Sequence, residues 1–146
     1  MPSHQPLDDS AIKHLEFIQA VIGRLSGNAF LMKGWALTIS GAFFGFSAKD
    51  LNWRVATVGL MPLIAFWGLD AYFLSRERMF RNLYDAVRSG DQRVEPFSMA
   101  YQLFKTRPGS KPVSWWSSVW SRTITLFYLP VGGVGIALII YTALQR

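Results

Sequence analysis

The segment from Val55 to Ser75 is apolar for about 20 residues, the length a helix needs to cross the hydrocarbon of a bilayer, and one acid, Asp70, interrupts it. Beyond Ser75 the apolar residues thin to Met79, Phe80, Leu83, Tyr84 and Val87, whose spacing keeps them on one side of a continuing helix. Arg76, Arg78, Arg81 and Arg88 make the other side basic. No breaker intervenes before Ser89-Gly90, so the pattern predicts one rod of about 35 residues, roughly 50 Å long. Half of it belongs in lipid and half in water, which confines the remaining chain to folds that serve both solvents.

Two more runs, Ala29 to Ala48 and Thr123 to Leu144, have the same length and almost no charge. The chain has 146 residues, 51% of them hydrophobic, and its positive mean hydropathy of +0.20 suits a membrane protein better than a soluble one. The expected fold class is an all-α membrane protein with three transmembrane helices, an N-terminal amphipathic helix and a small basic cytoplasmic helical hairpin. Residues 1–28 form the amphipathic helix in this reading, 29–75 the first two spans, 76–113 the hairpin, and 114–146 an aromatic belt with the third span. A cleavable signal peptide is not expected, because a polar lead with Asp8, Asp9 and Glu16 precedes the first run, which is itself too long for a signal core. With no cysteine, the chain has no disulfide, thiolate metal site or thiol nucleophile.

The net charge of +6 is concentrated between Arg76 and Arg122. The positive-inside rule makes that segment cytoplasmic, which puts the N-terminus inside, the link from Lys49 to Arg54 outside and the C-terminus outside. Inner-membrane, multi-pass localisation follows. The basic segment has a plain explanation as a topology signal that attracts anionic membrane lipid.

Along the first helix, Ile12, Leu15, Ile18, Val21, Ile22 and Leu25 form one apolar stripe, with an end expected at Ser26-Gly27-Asn28. His14 reads as a solvated side chain, and His4 lies in the loose N-terminal stretch; neither suggests a metal or acid-base site. Gly34, Thr38, Gly41, Gly45 and Ala48 share one side of span one, where Gly41 and Gly45 make a GxxxG pair suited to close helix packing, within the chain or between copies. Lys33 and Asp70 are the only charges well inside the runs, at matching depths on antiparallel helices. An ion pair is expected, since charges facing lipid there would cost a few kcal/mol each; the alternative is a Lys33 that snorkels to the headgroups.

Pro62 should bend span two, and Pro130, Gly132, Gly133 and Gly135 in span three suit a hinge, a watery break or close packing. After Gly90, Pro96 is expected to open a short helix carrying Phe97, Tyr101 and Phe104 toward Phe80, Tyr84 and Val87, followed by the loop Thr106 to Pro112. Trp115, Trp116 and Trp120 suit the headgroup layer, and Ser114 or Ser118 is the expected cap of span three.

Catalysis finds no support: there is no phosphate-binding glycine loop, no metal-spaced cluster and no set of nucleophile, base and acid. No cofactor is indicated. Three unequal spans also lack the internal repeat of a carrier. Two classes remain. One is a homo-oligomeric channel or membrane-perturbing effector, with Thr38, Ser40, Thr125 and Tyr128 as candidate pore groups. Arg76, Arg78, Arg81, Tyr84, Arg88, Lys105 and Arg107 would then bind an anionic, phosphate-bearing ligand such as a nucleotide or oligonucleotide messenger. The other is a membrane anchor that docks an acidic protein partner.

The order of amphipathic helix, spans and basic cytoplasmic unit resembles that of the small membrane effectors of bacterial anti-phage operons, the Hailong-type channel effectors among them, whose partner enzyme makes an oligonucleotide signal. The likeness is architectural and extends loosely over the whole chain. It carries no residue role onto Asn28 to Trp35 or Gly68 to Leu74. What it implies is an oligomeric ion channel, shut at rest and opened by a nucleic-acid-like messenger.

Overall fold

A computed structural model describes residues 8–91, 93–106 and 112–145. Two long antiparallel helices dominate it: α1 (Asp9–Asp50) and α2 (Trp53–Arg88). The described residues 93–106 and 112–114 form a strap with one 3-10 turn (Tyr101–Phe104), and the short α3 (Trp115–Val119) and then α4 (Arg122–Leu144) follow. Among the described residues there is no strand, and α1, α2 and α4 are each long and apolar enough to cross a membrane. This is a multi-pass, all-helical membrane architecture.

The expected end of the first helix at Ser26-Gly27-Asn28 is absent: the amphipathic segment and span one are a single helix of 42 residues. The reason is tertiary. Gly27 costs a helix about 1 kcal/mol relative to alanine, but Ile22 and Ala29 on either side of it are both buried, so packing along α2 continues through the weak point. The turn to α2 is also tighter than the six-residue link expected, occupying only Leu51 and Asn52. Leu51 takes a left-handed conformation (φ 48°), Asn52 caps α2 by accepting the Arg54 N–H at 3.1 Å, and Ser47 Oγ donates to the Asn52 carbonyl at 2.8 Å. Pro62 lies inside α2, which runs on unbroken through it.

The hairpin has two cores. In the polar half, Leu15, Ile18 and Ile22 of α1 meet Phe80, Leu83 and Val87 of α2, and Phe104 of the strap closes the cluster. In the apolar half, Ala36, Leu63, Ala71, Val119, Ile124 and Tyr128 form the second core. The inward stripe of span one is Ala29, Ala36, Ser40, Phe44 and Ser47. Gly34, Gly41 and Gly45 are on the opposite side, where an added Cβ would meet no atom within 4 Å. The close packing falls instead on Gly59 and Gly135. A Cβ at Gly59 would stand 2.7 Å from Phe43 Cβ, and one at Gly135 would stand 2.5 Å from Phe44 Cζ, so the Phe44 ring wedges all three spans together.

Helix α2 ends in a Schellman arrangement: Asp91 N–H donates to the Ala86 carbonyl at 3.0 Å and Gly90 N–H to Val87 at 3.1 Å, with Gly90 at φ 70°. The helix expected from Pro96 does not form. Two of the strap's carbonyls are taken up from outside it, His14 Nε2 donating to the Ser98 carbonyl at 2.9 Å and Asn82 Nδ2 to the Phe104 carbonyl at 3.0 Å. His14 is therefore buried rather than solvated, and Phe97, at φ 59°, is half-exposed beside it. The segment expected as a helical hairpin is, over its described residues, a strap tied across α1 and α2. Ser114 and Ser117 form a capping box, but for α3; α4 begins afresh after Ser121.

Overpacking of a tight helix contact typically costs about 1–3 kcal/mol. Gly59→Ala should lower the thermal unfolding temperature in detergent accordingly, because Phe43 Cβ is fixed to its backbone and cannot yield. Gly133→Ala, at a position with no neighbour within 4 Å, should leave it unchanged or raise it.

Candidate functional site

The polar half of α2 turns Phe80, Leu83 and Val87 inward, which leaves Arg78, Arg81, Asn82 and Asp85 on an outer face at helical spacing. Gln19 and Ile22 of α1 and Val113 of the strap rise on either side of that face. Together with Tyr84 these residues line an open groove of about 510 Å³, within the size range of small-molecule sites. A second groove of about 270 Å³ shares Asn82 and Asp85 and adds Arg93, Asp91, Phe104 and Thr106. Arg93 binds both oxygens of Asp91 and so holds that carboxyl down at about 2, charged throughout the physiological range.

Of the residues proposed from sequence for ligand binding, Arg78, Arg81 and Tyr84 line the larger groove. Arg81 donates through Nε (2.9 Å) and Nη2 (2.7 Å) to Glu77 Oε1 one turn back, which orients its guanidinium. Arg76 does not join them. It donates to Tyr101 Oη at 2.8 Å and lies over the rings of Tyr72 and Tyr101 at 4.9 and 5.2 Å, so it fastens the strap to α2. Arg88 and Lys105 are exposed and line neither groove. Arg107 lies outside the described residues. Gln19, Asn82 and Arg93 were missed. Asn82 follows Arg78 by four residues on one face, and the antiparallel register that sets Lys33 beside Asp70 also sets Gln19 beside Tyr84; both signals were available.

In the apolar half, Lys33 Nζ stands 2.5 Å from Asp70 Oδ2, with the two side chains 20% and 1% exposed. Tyr128 of α4 is electrostatically coupled to the same carboxylate. Its ring stacks on Trp67 (5.9 Å, 5°), and Trp67 Nε1 donates to the Val119 carbonyl at 3.2 Å. Trp115 Nε1 donates to Gly68 O at 3.0 Å, so α3 is pinned flat on α2 at the depth of Asp70. The candidate pore groups separate. Thr38 is exposed on the open side of α1, bonded to the Gly34 carbonyl, and Thr125 is half-buried, while Ser40 and Tyr128 are buried inside the three-helix unit. Among the described residues no cluster of His, Cys, Asp and Glu is spaced to hold a metal.

Comparisons with family models, curated proteins and solved structures give no match.

Removing one member of a buried ion pair strands the other and costs about 3 kcal/mol or more. Asp70→Asn should therefore destabilise the protein more than Asp70→Asn combined with Lys33→Met. Thermal unfolding of the two variants and wild type in detergent measures the difference, and equal loss in both would separate the two residues energetically.

Proposed function

We propose that the chain is one subunit of a homo-oligomeric inner-membrane channel or membrane-perturbing effector, gated by an anionic, nucleotide-type ligand held in the cytoplasmic Arg78–Arg81 groove. The observation that carries this reading is mechanical. The arginines of the groove and Asp70 of the intramembrane pair stand on one unbroken helix of 36 residues, so a ligand that shifts the polar end of α2 moves the span without a flexible joint. Two guanidiniums with the amides of Gln19 and Asn82 suit phosphate oxygens, and Tyr84 offers a ring to a base.

Assembly is required because three spans are too few to enclose water. The open side of α1, with Gly34, Gly41 and Gly45 free of intrachain neighbours, is the surface on which copies would pack. The architectural likeness to anti-phage effectors supplies the biological setting. A membrane anchor for an acidic protein is the competing reading, and it draws on Arg88 and Lys105, which are exposed away from the groove.

Two measurements test this. The full chain in nanodiscs should bind ATP or a short fluorescent oligonucleotide with strong salt dependence. Arg78→Glu with Arg81→Glu should weaken that binding at least about tenfold, given the usual strength of charge-assisted contacts, while Arg88→Glu changes it little. Retention by the double variant would remove the groove from the mechanism, and loss only on Arg88→Glu would favour the docking reading. Gly41→Leu should reduce the oligomer size in detergent; an unchanged size would place the interface elsewhere.

A further inference from the structure

Asp70 is the point at which all three spans meet: it belongs to α2, its counter-ion Lys33 to α1, and the coupled Tyr128 to α4. Among the described residues this carboxylate has the Lys33 ammonium and the buried Tyr128 hydroxyl as its partners, and neither meets it in a well-directed hydrogen bond. Two more buried oxygens without a partner among the described residues, Ser121 Oγ at the N-cap of α4 and Thr125 Oγ1 in its first turn, precede Tyr128. At intervals of four and three these hydroxyls stack along one face of α4, starting at the helix end that adjoins the basic segment. Buried polar groups left unmatched in this way call for an explanation, and a row of them ending on a carboxylate has a specific one.

We infer that Asp70 is a proton-binding site inside the membrane half, reached from the basic, cytoplasmic side along Ser121, Thr125 and Tyr128, with Lys33 as a displaceable counter-ion. A proton from cytoplasmic water adds to the Asp70 carboxylate and gives a neutral acid. Its new O–H has an acceptor in the Tyr128 oxygen. Lys33 keeps its own proton and charge, and its long side chain, already partly exposed, moves to the nearby headgroup layer. Neutral acid plus snorkelled ammonium competes with the buried ion pair because lipid penalises both ions of the pair. The route is closed on the far side. The Phe44 ring packs against Gly59 and Gly135 there, so the site takes up a proton from one face and does not conduct it across.

No other titratable group faces Asp70 among the described residues: α3 has none, and Arg122 at the start of α4 is exposed. The inference does not depend on any ligand in the arginine groove. Its consequence is that protonation loosens the Lys33–Asp70 tie between α1 and α2, so acidification and groove occupancy act on the same helix from different places.

Infrared difference spectroscopy of the full chain in nanodiscs, titrated from about pH 8 to pH 4, reads the acid directly. Wild type should develop a protonated-carboxyl band that is missing from Asp70→Asn. In Lys33→Met the same band should appear at a pH higher by about one unit or more, since the counter-ion favours the carboxylate. Tyr128→Phe keeps the ring on Trp67 and removes only the oxygen, so it should shift the band's frequency even if the charge variants do not fold. A band identical in wild type and Asp70→Asn, unmoved by Lys33→Met, or unchanged in frequency in Tyr128→Phe would overturn the inference. Oligonucleotide binding measured alongside should stay intact in Tyr128→Phe, which separates failure here from failure of the groove.

Discussion

The register of α1 against α2 sets the position of everything else. It is fixed at one end by the two-residue turn of Leu51 and Asn52, in which a left-handed leucine, unfavourable by about 1–2 kcal/mol, is held by the Ser47 and Asn52 hydrogen bonds. From there the helices stay in step for their full length. Phe44 meets Gly59, Lys33 meets Asp70, and Ile18 and Ile22 share a core with Phe80 and Leu83. A slip of one residue would rotate each helix by about 100° and put Lys33 and Asp70 into lipid without partners. The ion pair thus acts as a specificity device for the register, one of the better attested uses of buried charge.

One hairpin serves two solvents by changing what it hides. In the polar half the hydrophobic effect drives Leu15, Ile18, Leu83 and Phe104 together, as in a soluble domain. In the apolar half water supplies no such force, and contact depends on small residues and shape: Ala36, Ala71 and Gly59 let the backbones approach, and Phe44 fills the space that remains. The strap belongs wholly to the first regime. Its own backbone hydrogen bonds make isolated turns, such as Ser98 N–H to Glu95 and Leu103 N–H to Ala100, and side chains of the hairpin, namely His14, Arg76 and Asn82, tie it down. Asn82 both anchors the strap at Phe104 and lines the two grooves, so groove and strap are physically joined through one amide.

Much of this was legible in the chain itself. Apolar length and charge placement located three spans, helical periodicity located the inward face of the polar half of α2, and depth counting brought Lys33 to Asp70. Each is a local property or a count along one helix. The GxxxG pair shows where such reading stops: Gly41 and Gly45 do lie on one side of α1, but that side is turned away from α2 and α4. Helical spacing says which residues share a face and is silent on which neighbour the face meets.

The sequence by itself determined that the chain is helical, has three segments long and apolar enough to cross a membrane, and concentrates arginine at one end of a rod, because hydropathy, length and charge act residue by residue on any backbone in a bilayer. Only the tertiary structure decided the rest. Whether α1 would break at Gly27 depended on α2 lying beside it, and the placement of residues 93–106 depended on His14, Arg76 and Asn82 reaching them from α1 and α2. Arg76 became a tie rather than a ligand contact because Tyr101 arrived over it from the strap. The gathering of Lys33, Asp70 and Tyr128 at one point required three helices to take up particular rotations about their axes. Those rotations are set by the fit of Phe44 against two glycines and of Tyr128 against Trp67, contacts between residues far apart in the chain that no local pattern encodes.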